Sequence, residues 1–207
     1  MLRKGILGVD FDNTIILYDR VLRDQALAES LIAADTPVDK TAVRDSIRAR
    51  HNNEVWIQLQ AKVYGQQLFQ AALAPGFTDF LHWARQSGHT VYVISHKTRY
   101  PNRGPQVDLR LRSLQWMEAR GLFGSYSPLH PTRHVFFEDT REAKLCRIAR
   151  TNCQWFVDDL PELLGAQDFP PAVKRLWFHQ QASCSEWYRG CRSWAAVLAT
   201  LKSHYHG

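Results

Sequence analysis

The sequence predicts an α/β protein with a doubly wound parallel sheet and a helical insertion. The apolar run formed by Ile6, Leu7 and Val9 is typical of a parallel strand that is covered on both faces. From residue 77 onward, strand-like and helix-like segments alternate, which indicates parallel strands joined by helices. Between these regions the apolar positions repeat every three to four residues, and no convincing strand is present. We therefore expect one sheet with a helical segment inserted after its first strand.

The individual elements follow from spacing and from helix-breaking residues. In the insertion, apolar spacing predicts helices over 21–32, 39–50, 54–64 and 67–73, interrupted at Pro37 and Gly65 and closed by Pro75 and Gly76. In the remainder, strands are predicted over 90–94, 135–137, 154–157 and 174–178. Helices are predicted over 77–86, 140–150 and 194–201; a further helix ends at about Arg120, and another begins at Pro161.

Composition limits the classes of protein and partner. The 207 residues are 45% hydrophobic, enough for one core and a small accessory unit. No stretch approaches the roughly 20 apolar residues of a membrane span, and Met1-Leu2-Arg3-Lys4 leads into the first strand without an apolar signal region. We expect a cytoplasmic protein with no membrane partner. The net charge of +6 favours an anionic partner, and the lack of a nucleic-acid motif disfavours nucleic acid without excluding it.

The four cysteines form two pairs with six residues between the members of each pair. This spacing differs from the short spacing of a zinc ribbon, so free or buried thiols are predicted. A zinc site is the weaker alternative. The residues concerned are Cys146, Cys153, Cys184 and Cys191, and the zinc alternative would use Cys184, Cys191, His204 and His206.

Chemistry-bearing side chains follow several of the predicted strands. Because the carboxyl ends of parallel strands meet at one edge of a sheet, these groups are expected to lie together. Carboxylates can hold a hard divalent cation such as Mg²⁺, a carboxylate oxygen can attack phosphorus, and a lysine and a hydroxyl can share phosphoryl charge. The set consists of Asp10 and Asp12 after the first strand, Ser95 after the second, Lys144 on the helix before the fourth, and Asp158 and Asp159 after the fourth.

This set resembles the four motifs of the haloacid dehalogenase-like (HAD) phosphohydrolase superfamily. The motifs are Asp10-x-Asp12-x-Thr14, Ser95, Lys144 and Asp158-Asp159, and the likeness covers about residues 5 to 200. The resemblance implies a Rossmann-like core over 1–17 and 75–207, and a small helical cap over 18–74. It also implies Mg²⁺ as the cofactor and an aspartyl-phosphate intermediate.

The resemblance also implies roles for individual residues. Asp10 would be the nucleophile and a metal ligand. Asp12 would be the general acid and base and would ligate the metal through its carbonyl oxygen. Ser95 would bond the phosphoryl group, and Lys144 would orient and neutralise it. Asp158 would ligate Mg²⁺ with Asp159 in support, and Thr14 would brace the loop at the substrate side.

Two departures from the family pattern leave alternatives open. The fourth motif is Val-Asp-Asp-Leu-Pro-Glu rather than Gly-Asp-x-x-x-Asp, so either Asp159 or Glu162 could support the metal. Lys97, two residues after Ser95, is an alternative to Lys144 as the family lysine; we favour Lys144 because its helix precedes the fourth strand.

A basic loop after Ser95 suggests where a substrate binds. His96, Lys97, Arg99 and Arg103 are candidates for contacts with anionic or hydroxyl groups of the substrate, the alternative being a solvated basic loop. The expected function is Mg²⁺-dependent hydrolysis of a small phosphorylated metabolite. A nucleotide or polynucleotide phosphatase or phosphotransferase remains an alternative, as does a binding protein on the same fold. The sequence does not predict the oligomeric state.

Overall fold

The computed structural model describes residues 4–206, the last of these by its backbone alone. The first three residues, used above in the cytoplasmic prediction, lie outside this range, as does the side chain of His206 in the zinc alternative. No helix within the described range is both long enough and apolar enough to cross a bilayer.

The described chain forms two compact units. The first comprises the residues up to Ile15, Leu73–Lys97 and the residues from Met117 onward; the second comprises Ile16–Ala72 and Thr98–Trp116. This division differs from the predicted one at 98–116, a stretch that we assigned to the core, and at the ends of the insertion, where 16–17 belong to the second unit and 73–74 to the first. The stretch belongs to the second unit because Trp116 Nε1–H donates to the Ala71 carbonyl at 3.2 Å and Val107 packs within van der Waals distance of Gly65.

The first unit contains a six-stranded parallel sheet. Its strands are β1 (Ile6–Val9), β4 (Thr90–His96), β5 (Val135–Glu138), β6 (Trp155–Asp158), β7 (Lys174–Phe178) and β8 (Arg189–Cys191), in the order β5-β4-β1-β6-β7-β8. The remaining strands, β2 (Ile16–Leu17) and β3 (Ala72–Leu73), pair separately where the chain enters and leaves the second unit. The predicted parallel α/β architecture is confirmed.

Helices cover both faces of this sheet. They are α4 (Phe77–Gln86), α6 (Pro131–His134), α7 (Arg141–Arg150), α8 (Pro161–Leu164) and α9 (Trp194–His206). Helix α5 (Leu109–Ala119) lies mainly in the second unit. One face packs on α7 and α8 through a buried cluster that includes Phe156 and Phe169. On the other, Trp194 contacts Phe77 and Phe178, with ring centroids 4.8 Å and 5.5 Å away. Burial on both faces explains the continuous apolar strands.

The second unit is helical. Helices α1 (Asp19–Ala28), α2 (Lys40–Arg50) and α3 (Asn53–Gly65) pack against one another, and the Tyr18 and Tyr64 rings stack at 4.1 Å. The Asp39 carboxylate caps α2 by accepting from Ala42 N–H at 2.7 Å. The predicted helix over 67–73 is wrong: only a 3₁₀ turn, Leu68–Gln70, forms, because the following residues pair as β3.

Candidate active site

The carboxyl end of β1 places a buried carboxylate at the centre of the sheet edge. Asp10 is 3% exposed, and its backbone N–H donates to the Val157 carbonyl of β6 at 2.9 Å. This bond continues the β1–β6 pairing by one residue. The chain then turns, with Ile15 N–H bonded to the Phe11 carbonyl at 2.9 Å. Asp10 is therefore fixed by the sheet, and the following residues form a short loop above it.

Lys144 joins the carboxylates that end β1 and β6. Its Nζ lies 2.6 Å from Asp10 Oδ1 and 2.7 Å from Asp158 Oδ2, and all three side chains are almost completely buried. Helix α7, capped by the Thr140 hydroxyl at Ala143 N–H, presents the lysine to both strands. Burial opposes the lysine charge, but the two carboxylates hold the Lys144 pKa above its ordinary value.

Burial also acts on Asp10. It raises the pKa of the Asp10 carboxyl to about 7; Lys144 opposes this shift, while the nearby Asp158 and Asp12 carboxylates add to it. A bound cation would act in the opposite direction and favour the ionised form of the Asp10 carboxyl.

Three carboxylates at this edge have the spacing of a metal site. One oxygen each from Asp10, Asp158 and Asp159 lie within 4.8 Å of one another. Asn13 Nδ2–H donates to Asp159 Oδ2 at 3.3 Å, and Trp177 Nε1–H donates to the Asp159 carbonyl at 3.0 Å. Both contacts hold Asp159 in the cluster. Glu162 does not belong to the cluster, so the geometry favours Asp159 of the two alternatives.

The donor set fits a hard divalent cation. With Asp12 and Lys97 included, the site contains four carboxylates and two ammonium groups. One divalent cation would balance the two excess negative charges. In addition, Asn13 Oδ1 is buried and has no hydrogen-bond partner among the residues the structure describes. Asp10, Asp158 and Asp159 could hold the cation through carboxylate oxygens.

Asp12 is paired with a different lysine. Lys97 Nζ lies 3.0 Å from Asp12 Oδ1 and 2.9 Å from Asp12 Oδ2. The lysine side chain is 3% exposed and that of Asp12 is 20% exposed. The two lysine alternatives of the sequence thus lie at different carboxylates, with Lys144 at Asp10 and Lys97 at Asp12.

Ser95 and Thr14 are buried, and each lies two residues along the sequence from a member of the Lys97–Asp12 pair. Ser95 is 1% exposed on β4, opposite Phe137 of β5 in the strand register. Thr14 is fully buried, and its carbonyl accepts from Trp194 Nε1–H at 3.0 Å. The bracing role of Thr14 stays a prediction. The Thr14 hydroxyl has no partner within the described part of the chain.

Two predicted substrate-binding residues make hydrogen bonds within their own units. The exposed His96 places Nε2 3.1 Å from the Asp139 carbonyl. Arg99 lies in the second unit, where Nε donates to Asp108 Oδ2 at 2.8 Å. Their roles toward a substrate stay predictions.

Sequence reasoning missed two residues that organise the site. Asn13 follows the acidic pair at a position typical of a turn residue, and it adopts a left-handed conformation, with φ of 55°. Its donation to Asp159 could not be inferred from that turn alone. Trp177 carried no signal, because a tryptophan in an apolar strand is usually a core residue.

The cysteines are free thiols, two of them buried. Cys153 and Cys191 are buried, whereas Cys146 and Cys184 are exposed. Burial raises the pKa of the Cys153 thiol to about 11. Among the described side chains, which do not include that of the zinc candidate His206, the only group with metal-ligand spacing is the carboxylate cluster.

Comparison with known proteins supports the fold. No protein-family model and no curated protein sequence matches the chain. The chain resembles a solved HAD family hydrolase from Deinococcus radiodurans with bound phosphate and sodium, with a TM-score of 0.61 and 12% identity over 98% of this chain and 97% of that one. It also resembles a haloacid dehalogenase-like family protein from Streptococcus pneumoniae, with a TM-score of 0.60 and 12% identity over 96% of this chain and 98% of that one. A third similar structure is a haloacid dehalogenase-like family hydrolase from Xanthomonas campestris, with a TM-score of 0.56 and 10% identity over 100% of this chain and 98% of that one. The chain has the haloacid dehalogenase-like fold.

Proposed function

We propose that the protein is a Mg²⁺-dependent phosphatase that hydrolyses small phosphorylated metabolites through an aspartyl-phosphate. The observation that carries this proposal is the buried Asp10 carboxylate at the end of β1, bonded to Lys144 and grouped with Asp158 and Asp159. A carboxylate in this position is a nucleophile with a cationic partner and a metal-binding surface beside it. The solved structures that share this fold include haloacid dehalogenase-like hydrolases, which supports a hydrolytic reaction.

Mg²⁺ would be held by Asp10, Asp158 and Asp159, with the Asp12 carbonyl as a further ligand. When bound, the ion supplies charge neutralisation for the phosphoryl oxygens and orients the phosphate toward the nucleophile. Lys144 already lies between two of these carboxylates and offers a second positive charge at the same place.

In the first half-reaction, an Asp10 carboxylate oxygen forms a bond to phosphorus as the ester bond between phosphorus and the leaving oxygen breaks. The leaving oxygen takes a proton from the Asp12 carboxyl and departs as an alcohol. Lys144 and the Ser95 hydroxyl would share the charge that develops on the phosphoryl oxygens.

In the second half-reaction, Asp12 acts as a base. Its carboxylate takes a proton from water as the water oxygen bonds to phosphorus, and the acyl-phosphate bond to Asp10 breaks to release inorganic phosphate. The presence of Asp12 also argues against dehalogenation, because a halide leaves without needing a proton.

The proposal is tested by phosphate release from sugar phosphates, nucleotides and p-nitrophenyl phosphate, with Mg²⁺ and with EDTA. We expect Mg²⁺-dependent release that falls by about 1,000-fold or more in Asp10→Asn, since the nucleophile is lost. Asp24→Asn, which alters an exposed carboxylate on α1, is the matched control and should retain full activity. Full activity in Asp10→Asn, or equal release in EDTA, would contradict the mechanism. An organic acceptor that increases turnover would favour the phosphotransferase alternative.

A further inference from the structure

Lys97 occupies a position that the proposed mechanism does not use. The residue follows β4, and its backbone N–H donates to the Glu138 carbonyl of β5 at 2.9 Å. Its Nζ contacts both oxygens of Asp12 and lies 5.5 Å from the centre of the Phe11 ring. Phe11 is in turn packed edge-on against Phe137. A flexible side chain is therefore held at both ends.

The contact restricts the carboxylate as well as the lysine. Because the ammonium group donates to Oδ1 and lies in ion-pair contact with Oδ2, the Asp12 carboxylate cannot rotate without losing a contact. Burying a lysine is costly, and a buried ion pair often adds little net stability. An arrangement of this kind at a reacting group is better explained by what it does for Asp12 than by stability.

We propose that Lys97 is a positioning residue for the acid–base group Asp12. It holds the carboxyl group in one orientation, from which a proton passes to the leaving oxygen. This inference rests on the proposed function and deepens it, since it assigns Lys97 to proton transfer rather than to binding the substrate. A second interpretation, in which Lys97 binds the phosphoryl group directly, makes different predictions for the same variants.

Leaving-group dependence separates the two interpretations. p-Nitrophenyl phosphate releases a stable anion and needs little help from an acid, whereas benzyl phosphate releases an alkoxide that must be protonated. We expect Lys97→Met to lower kcat/KM for benzyl phosphate by about 100-fold and for p-nitrophenyl phosphate by less than about 5-fold. The ratio of the two values within one variant does not depend on the fraction of protein that is folded.

A double-mutant cycle provides the second readout. In the Asp12→Asn background, the further change Lys97→Met should lower kcat/KM for benzyl phosphate by less than about 3-fold, because the group that Lys97 serves is already disabled. The double variant leaves no buried charge without a partner at this position, whereas each single variant does. The double variant should therefore fold at least as well as the single variants. Lys97→Arg, which keeps a cation near Asp12, should recover part of the loss for benzyl phosphate.

The control is Lys174→Met, which removes an exposed lysine at the start of β7 and should leave both substrates unaffected. Equal losses for the two substrates in Lys97→Met, or a full effect of this change in the Asp12→Asn background, would overturn the assignment and favour direct phosphoryl binding. Wild-type protein that hydrolyses neither probe would contradict the proposed function itself, and the role of Lys97 would fall with it.

Discussion

Two lysines divide the carboxylates of the candidate site between them. Lys144 bonds Asp10 and Asp158, and Lys97 bonds Asp12. Asp159 accepts a hydrogen bond from the Asn13 side chain. Because a buried charge that loses its partner is strongly destabilising, each lysine fixes the placement of the carboxylates it contacts. The site therefore combines one buried lysine shared by Asp10 and Asp158 with a separate lysine at Asp12.

Asn13 tests whether the cluster depends on its supporting contacts. Its left-handed backbone suits glycine, so Asn13→Gly should change the free energy of unfolding by less than about 1 kcal/mol. The same change removes the donor to Asp159, and loss of a group that orients a metal ligand commonly weakens metal binding by about 10-fold or more. Calorimetric titration with MgCl₂ would measure the change in Kd.

A second left-handed asparagine supplies the control for that experiment. Asn152, with φ of 52°, follows α7 and ends a helix rather than supporting a carboxylate. Asn152→Gly should match Asn13→Gly in stability and leave the Mg²⁺ Kd unchanged. If both variants bind Mg²⁺ as the wild type does, Asn13 is only a turn residue.

At the level of single residues, the sequence predicted which groups would meet but not how they would pair. Asp10 and Asp158 could be predicted to lie together because they stand at the ends of β1 and β6, and parallel strands end at one edge of a sheet. Lys144 could be added because its helix, α7, precedes β6. The Lys97–Asp12 contact joins positions 85 residues apart. It depends on β4 lying beside β1, and strand order cannot be read from periodicity.

At the level of elements, long segments were predictable and short ones were not. Strands β1, β4, β5, β6 and β7 follow from apolar runs, and α4 and α7 from helical spacing. Strands β2 and β3 have two residues each and exist through their pairing with one another, as β8 exists through its pairing with β7. Such elements carry no local pattern that a sequence could show.

Helix α9 is attached to the amino ends of the strands by a hydrogen bond from Tyr205. The Tyr205 hydroxyl donates to Gln154 Oε1 at 2.7 Å, and Gly5 leaves no room for a side chain beside that hydroxyl. Burial raises the pKa of Tyr205 to about 12 from an ordinary value of 10.0. The folded protein therefore keeps a proton that the unfolded chain loses first, so stability falls as the pH rises from 10 toward 12.

Tyr205→Phe should remove this pH dependence. At pH 8 the variant should be less stable by about 1 kcal/mol, the net value of one hydrogen bond. Between pH 10 and 12 the difference from wild type should shrink, because only the wild type loses the Tyr205 contribution. Urea unfolding at pH 8 and pH 11 measures both. Tyr126→Phe, at an exposed tyrosine, should follow the wild type throughout. A constant difference between Tyr205→Phe and wild type would contradict the assignment.

At the level of the whole molecule, the division into two units was only partly visible in the sequence. The helices α1, α2 and α3 showed clear spacing, so the insertion itself was predictable. The stretch 98–116 joins the second unit through tertiary contacts such as the hydrogen bond from Trp116 to the Ala71 carbonyl. A polar loop followed by a helix is compatible with either unit until those contacts are known.

The charge excess at the sheet edge predicts that Mg²⁺ stabilises the whole fold. A ligand that binds only the folded state raises the free energy of unfolding, by about 2.7 kcal/mol at a concentration 100 times its Kd. We expect urea unfolding to show this gain with MgCl₂ and not with NaCl of equal ionic strength. Asp158→Asn, which removes a fully buried carboxylate of the cluster, should lose most of the gain. Asp168→Asn, on an exposed carboxylate paired with Arg141, should keep it. An equal gain in both variants would mean that Mg²⁺ binds elsewhere, and the carboxylate cluster would then serve only to hold Lys144.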